Sequence, residues 1–171
     1  FVSELRNISR NFRGGFRLGL CIYDRATTAR RGYERGNATC FSIKLIGFKP
    51  SPLFNEVSLG PPDCSAYWLV TQDGISIRVG LWKAKIPNGT VFICPGYSEY
   101  IEKYGKTAQL FLEHGYTSVS LDWRGHGLAD RLTSNPLLGH VETFSDYLKD
   151  FDAVIDWAKN FSLPKPWFVL G

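Results

Sequence analysis

The sequence predicts an α/β fold built on a mostly parallel sheet, and three observations carry that reading. First, Thr90–Cys94, Tyr116–Leu121 and Trp167–Leu170 are continuous apolar runs. Continuous rather than alternating hydrophobicity suits strands buried on both faces, as in the middle of a parallel sheet. Second, segments of helical period separate these runs, which is the alternation expected of βαβ units. Third, an alternating hairpin precedes them, giving the order β-β-β-α-β-α-β.

Each element has its own signal. Pro50, Pro52, Gly60, Pro61 and Pro62 mark the opening of an ordered unit. Ala66–Thr71 reads as a strand and Gln72-Asp73-Gly74 as a tight turn. Beyond it Ile75, Ile77, Val79 and Leu81 alternate with Ser76, Arg78, Gly80 and Trp82, the period of an antiparallel hairpin. Asn88-Gly89 turns the chain into the first continuous run. A helix is predicted from about Tyr100 to His114, with Ile101, Tyr104, Ala108, Phe111 and Leu112 on one face. Gly115 ends it as the C′ residue. After a loop with Arg131, Asn135 and Pro136, Thr143-x-x-Asp146 has the form of a capping box, its hydroxyl accepting from an orphan amide. Phe144, Tyr147, Leu148, Phe151, Val154, Ile155 and Ala158 continue as one helical stripe. Pro164 and Pro166 stop that helix and launch the last strand.

A length of 171 residues fits one domain able to bury a core. The apolar share is 44%, ordinary for a soluble domain, and no stretch nears the roughly 20 apolar residues of a membrane helix. Cys21, Cys40, Cys64 and Cys94 form no C-x-x-C pair, so neither a disulfide framework nor a zinc site is supported. A reducing, cytoplasmic setting follows, with peripheral membrane contact left open. Residues 1–50 hold ten Lys/Arg against three Asp/Glu, whereas residues 51–171 hold ten against thirteen. That basic arm admits a nucleic-acid, anionic-membrane or targeting role. The plainer reading of residues 1–51 is a disordered or non-native leader, with no nucleic-acid partner. Phe1 in place of a starting Met, in a chain with no Met at all, reads as a fragment. The N-x-[ST] matches at Asn37, Asn88 and Asn160 are short enough to arise by chance.

Loops leaving the C-terminal ends of parallel strands are where open α/β sheets build sites. Pro95-Gly96-Tyr97-Ser98-Glu99-Tyr100 is the first, and a glycine there lets backbone N–H groups point into the crevice as oxyanion donors. Its bland reading is a plain strand-to-helix turn. The second is Asp122-Trp123-Arg124-Gly125-His126-Gly127, running on to Asp130 and Arg131. A dinucleotide role fails because Asp130 stands where the third glycine belongs and no helix starts close by. His126 reads as a turn histidine rather than a base, since no Ser or Cys is fixed beside it. Asp122 and Arg124 most simply pair with each other or with nearby backbone. Gly139-His140-Val141 reads as a turn, and His114 as a complement to a helix C-terminus. The Asp146/Asp150 and Asp152/Asp156 pairs are expected mostly to face solvent, and no metal cluster is readable.

Taken in order, one set of segments resembles the lysophospholipase and monoacylglycerol lipase branch of the α/β hydrolases, the serine aminopeptidase S33 type. The set is Gly89–Gly96, Glu99–Tyr104, Gly115-Tyr116, Asp122–Gly127, Arg131, Gly139–Val141, Phe144-x-Asp146-Tyr147, Asp150 and Pro166–Gly171. The similarity covers residues 52–171 and is closest to bacterial lysophospholipase-like members.

The resemblance implies the N-terminal half of an α/β-hydrolase sheet, cut before the nucleophile elbow, with Gly171 as the first glycine of G-x-S-x-G. It implies a serine hydrolase of a monoglyceride or lysophospholipid ester, needing no cofactor. Among oxyanion donors it carries over the Tyr97 amide, with Gly96 beside it. Glu99, Asp122, Arg124, Gly125, His126, Gly127 and Gly171 support the site, and the triad is absent from these residues. Pro95-Gly96 replaces the His-Gly of many relatives, and bulky Tyr97 narrows the acyl pocket. Two other readings stay open: a non-catalytic binding protein on the same fold, and a basic-arm module. Trp167–Leu170 is expected to be a bare apolar edge.

Overall fold

The computed structural model describes residues 20–22 and 48–171. In chain order the described elements are β1 (Leu20–Ile22), β2 (Lys49–Pro50), α1 (Asn55–Ser58), β3 (Cys64–Val70), β4 (Ser76–Trp82) and β5 (Gly89–Ile93). A 3₁₀ turn (Ile101–Tyr104) runs into α2 (Gly105–Glu113), followed by β6 (Tyr116–Asp122), α3 (Asp146–Asn160) and β7 (Trp167–Leu170).

The strands form one mixed sheet in the order β1-β7-β5-β6-β4-β3-β2. β5 runs parallel to β6 on one side and to β7 on the other. β4 lies antiparallel to β6, and β3 antiparallel to β4, with Val70 opposite Ser76 across the hairpin. The hairpin turn closes through Thr71 N–H to Ile75 O at 2.9 Å, and Gly74 takes φ of 83°. The α/β class and the parallel run of β6, β5 and β7 are those the apolar runs predict, but the described sheet is mixed rather than mostly parallel, its other four pairings being antiparallel.

Side-chain alternation along β5 shows why its hydrophobicity is unbroken. Phe92 enters a core with Leu69, Ile77, Val79, Val119, Leu121, Val154 and Trp157, on the side packed by α3. Val91 and Ile93 face the other way, against Phe168, Tyr104 and Phe111. Complete burial of a side chain such as Phe92 contributes about 1.5–3 kcal/mol. β4 departs from the one-sided hairpin its period suggests, because Arg78 and Trp82 are as buried as Ile77 and Val79. The polar face of that strand is covered by the 3₁₀ turn and α2, and Arg78 is neutralised there.

Three further differences concern the helices and edges. The stripe expected on α3 drifts at its start: Phe144 and Leu148 are exposed, while Asp146 and Asp150 are buried. The buried face there follows the partners of the two carboxylates. Only the returning half of the capping box forms, with Thr143 N–H donating to Asp146 Oδ2 at 3.2 Å and the Thr143 hydroxyl turned to Ser145. Finally, Trp167–Leu170 has a neighbour, since β1 pairs antiparallel along it with Leu20 opposite Leu170. The rest of the basic arm, up to residue 47, lies outside the described residues.

Candidate active site

The chain leaves β5 for β6 on one side and reaches β7 on the other, so the order reverses at β5. The crevice past the C-terminal end of such a strand is the usual site in an open α/β sheet. Here it is bordered by the loop from Pro95 to Tyr100, the loop from Trp123 to Asp130, and Gly171.

The first loop is tied down at several points. Cys94 N–H donates to Leu170 O at 2.8 Å, and Trp123 Nε1 donates to Pro95 O at 2.8 Å. Ser98 takes a left-handed φ of 64°, reversing the backbone. Glu99 then reaches back to accept the Gly96 amide at 2.8 Å. The same carboxylate accepts from Lys103 Nζ at 2.6 Å and from the Tyr104 hydroxyl. Lys103, Tyr104 and the Gly96 amide together hold the Glu99 carboxyl down to about 2. Burial, with Glu99 nearby, pushes the Tyr104 phenol up to about 12. The Gly96 amide is thus occupied, whereas the Tyr97 amide meets no acceptor among the described residues. Beside it, burial alone pushes the Cys94 thiol up to about 11, which keeps it protonated.

The second loop hangs on two arginines, and of the pairings expected from sequence only that of Asp122 with nearby backbone forms. Asp122 does not pair with Arg124. It accepts Arg78 Nε at 2.7 Å and the amides of Ile101 and Leu128 at 2.9 Å each. Arg78 also forks onto Glu102 with two contacts of 2.8 Å. Gly127 sits against this carboxylate with φ of 49°, and a Cβ there would fall 2.1 Å from Asp122 Cγ. No other residue fits. Arg124 instead binds Asp150 on α3, through Nε at 2.9 Å and Nη2 at 2.8 Å, and Asp73 of the hairpin turn at 2.9 and 3.0 Å. Asp150 also takes the Arg124 amide at 3.1 Å, so it is fully buried rather than solvent-facing. Asp152 and Asp156 are exposed, as expected.

His126 is a buried turn residue, 3% exposed, with Nδ1 3.0 Å from Arg124 O. The Tyr97 ring meets it edge-on at 4.8 Å, and the Tyr97 hydroxyl donates to Gly139 O at 2.8 Å. Tyr97 therefore leans onto the Gly139 turn. Gly125, with φ of 79°, lets that turn pack close, since a Cβ would sit 3.0 Å from His140 O. Gly171 lies at the end of β7, where a Cβ would be 3.9 Å from Cys94 Cβ.

The structure thus brings Gly96, Tyr97, Glu99, Arg124–Gly127 and Gly171 to the ends of three parallel strands. Asp122 stands beneath them. His114 is elsewhere, at the end of α2, with Nδ1 2.8 Å from Leu110 O. Sequence reasoning missed Arg78, Glu102, Asp73 and Asp150 as the supports of this rim. Only the polar slot of Arg78 in an apolar strand hinted at them. Among the described residues there is no group of three His, Cys, Asp or Glu able to hold a metal, and no helix long and apolar enough to cross a membrane. No G-x-S-x-G occurs within residues 1–171.

Comparison with known proteins places this geometry in a family. The chain is 36% identical over 95 residues to lysophospholipase L2 of Escherichia coli K12, covering 56% of this chain and 27% of that protein. It is 31% identical over 99 residues to a monoacylglycerol lipase of Mycolicibacterium smegmatis, covering 57% and 34%. The chain therefore spans about a quarter to a third of the length of these relatives. Among solved structures, the Pyrococcus furiosus esterase Pf2001 aligns with a TM-score of 0.48 and 17% identity, over 64% of this chain and 40% of that one. The family model described as serine aminopeptidase, S33, matches residues 85–171, the stretch that carries all three rim segments, and the chain belongs to that family of α/β hydrolases.

Proposed function

We propose that these residues form the oxyanion side of a serine hydrolase that cleaves the acyl ester of a monoglyceride or lysophospholipid. The observation that carries this reading is the Tyr97 amide, without an acceptor among the described residues at the switch point while the Gly96 amide before it is taken by Glu99. A preorganised donor of that kind stabilises the negative oxygen that forms when a serine Oγ adds to an ester carbonyl. The C–O bond to the alcohol then breaks, and a histidine passes the serine proton to the leaving oxygen. Glu99 holds the Gly96 amide out of that role, so Tyr97 supplies the donor of this loop. The nucleophile is assigned to a serine two positions beyond Gly171.

Reading the transcript past Gly171 tests the assignment. A serine in that place supports it, and a continuing frame without one moves the chain to the alternative of a binding protein on the same fold. The 171-residue chain alone is expected to show no fluorophosphonate labelling and no turnover of p-nitrophenyl butyrate. Turnover by a sequence-verified preparation would overturn that expectation. In the continued frame, Tyr97→Pro should lower kcat by about 10²–10³-fold, while Tyr97→Ala, which keeps the amide, should not.

A further inference from the structure

We propose that Tyr104 is a positioning residue for the oxyanion donor: its hydroxyl holds the Glu99 carboxylate on the Gly96 amide and so places the peptide that carries the Tyr97 N–H. The kinetic consequence rests on the hydrolase reading above, whereas the positioning itself needs no nucleophile.

The argument begins with how little the loop from Pro95 to Tyr100 holds itself. Its backbone bonds to itself once among the described residues, from Glu99 N–H to Gly96 O at a long 3.3 Å. Gly96 brings no side chain, and Ser98 turns the chain back with φ of 64°. The peptide between Gly96 and Tyr97 is therefore placed mainly by what grips Gly96. That grip is Glu99 Oε2, which accepts the Gly96 N–H at 2.8 Å. The fit is close, since a Cβ on Gly96 would lie 3.3 Å from the same oxygen. Where Oε2 sits decides where the peptide sits.

Two side chains hold Glu99, and they are not equal. Lys103 Nζ reaches Oε1 at 2.6 Å, but its side chain is 56% exposed. An ion pair so solvated is screened and fixes little. Tyr104 donates its hydroxyl to Oε2, the oxygen that also takes the Gly96 amide. Its ring packs against the core of Val91, Ile93 and Phe168. Burial, with Glu99 nearby, keeps the phenol protonated, so the hydroxyl remains a donor. The 3₁₀ turn that ends in Tyr104 is itself anchored. Ile101 N–H donates to Asp122 Oδ1 at 2.9 Å, and Glu102 accepts both arms of Arg78 at 2.8 Å. Contacts thus run unbroken from the buried Arg78 cluster through Tyr104 and Glu99 to the Gly96 amide.

The test is Tyr104→Phe, which removes the hydroxyl and leaves the ring in the core, set beside Lys103→Met. In the 171-residue chain, hydrogen exchange at the Gly96 amide should quicken about 10-fold in Tyr104→Phe, the order of one hydrogen bond to a charged group. Lys103→Met should quicken it by only about 2-fold. In the continued frame, Tyr104→Phe should lower kcat about 10-fold and leave KM in place, because the oxyanion exists only on the way to the transition state. On a Glu99→Ala background the same change should add nothing, since Tyr104 acts through Glu99. Unchanged Gly96 exchange in Tyr104→Phe overturns the proposal and reduces Tyr104 to a packing residue. So does an equal effect of Lys103→Met, or a full further loss on the Glu99→Ala background. A missing serine beyond Gly171 would sink the hydrolase reading, and the exchange results would still decide the positioning.

Discussion

Arg78 and Arg124 hold the same loop from two sides, and they differ in how far water reaches them. Arg78, Asp122 and Glu102 have side chains only 1%, 0% and 3% exposed. Arg124 is equally buried against Asp150, but its other arm reaches Asp73, which is 30% exposed and shares Lys149. The first cluster joins β4, β6 and the 3₁₀ turn into one sealed unit. The second clasps α3 and the hairpin turn to the loop through a rim that solvent can enter. Burial decides what each is worth, because a sealed ion stripped of its partner has no water to turn to. The site floor is therefore closed to water and its outer clasp open to it.

Breaking the sealed unit gives the largest expected effect. Arg78→Met leaves Asp122 and Glu102 as two buried carboxylates facing each other, and should cost about 3–5 kcal/mol in urea unfolding. Replacing all three residues by apolar ones is not expected to rescue the fold. Asp122 also accepts the amides of Ile101 and Leu128, and each amide stranded without it costs about 1–3 kcal/mol. A loss under 1 kcal/mol in Arg78→Met would end the distinction between the two clusters.

The inner arm of the clasp comes next. Asp150→Asn removes the charge from the buried partner of Arg124 but leaves Asp73 in place. A loss of about 2 kcal/mol is expected, the worth of hydrogen bonds to a charged group. Because the Arg124 carbonyl orients His126, the same variant should also broaden the His126 ring resonances. Arg78→Met, if it folds at all, should leave the His126–Tyr97 contact intact at temperatures below its melting. Equal disturbance of His126 in both variants would contradict the assignment of Arg124 alone to that ring.

How much of this was readable from residues alone follows the same divide. β5 was legible because Val91, Phe92 and Ile93 are apolar on both faces, and burial on both faces is what the middle of a sheet imposes. The hairpin was legible through its Asp73-Gly74 turn. The loop after β6 was legible as a site element through its glycines, and Gly127 against Asp122 explains why one of them must be glycine. The two clusters were not legible. Arg78 pairs with residues 24 and 44 positions away, and no local period encodes a partner that distant. Asp146 and Asp150 were expected in water for the same reason, since the cations that bury them lie partly on other elements. β1 escaped notice because a three-residue strand in an arm without period carries no pattern to read.

The outer arm supplies the smallest effect and the one that depends on acidity. Arg124 first, with Thr71 and Lys149 adding to it, holds the Asp73 carboxyl well below the usual carboxylate range despite some loss of hydration. A carboxyl depressed by folding contributes its full stability above its unfolded value, about 4, and loses it as pH falls toward its folded value. Asp73→Asn should therefore cost about 1 kcal/mol at pH 7, a figure kept small because water and salt reach this pair. Below about pH 4 the gap between variant and parent should narrow steadily. Raising salt to about 1 M at pH 7 should narrow it too, since the Debye length falls to about 3 Å. Asp150→Asn, sealed from solvent, should respond to salt far less. If salt leaves Asp73→Asn unchanged, the outer arm is as closed as the floor, and the two clusters differ in position rather than in kind.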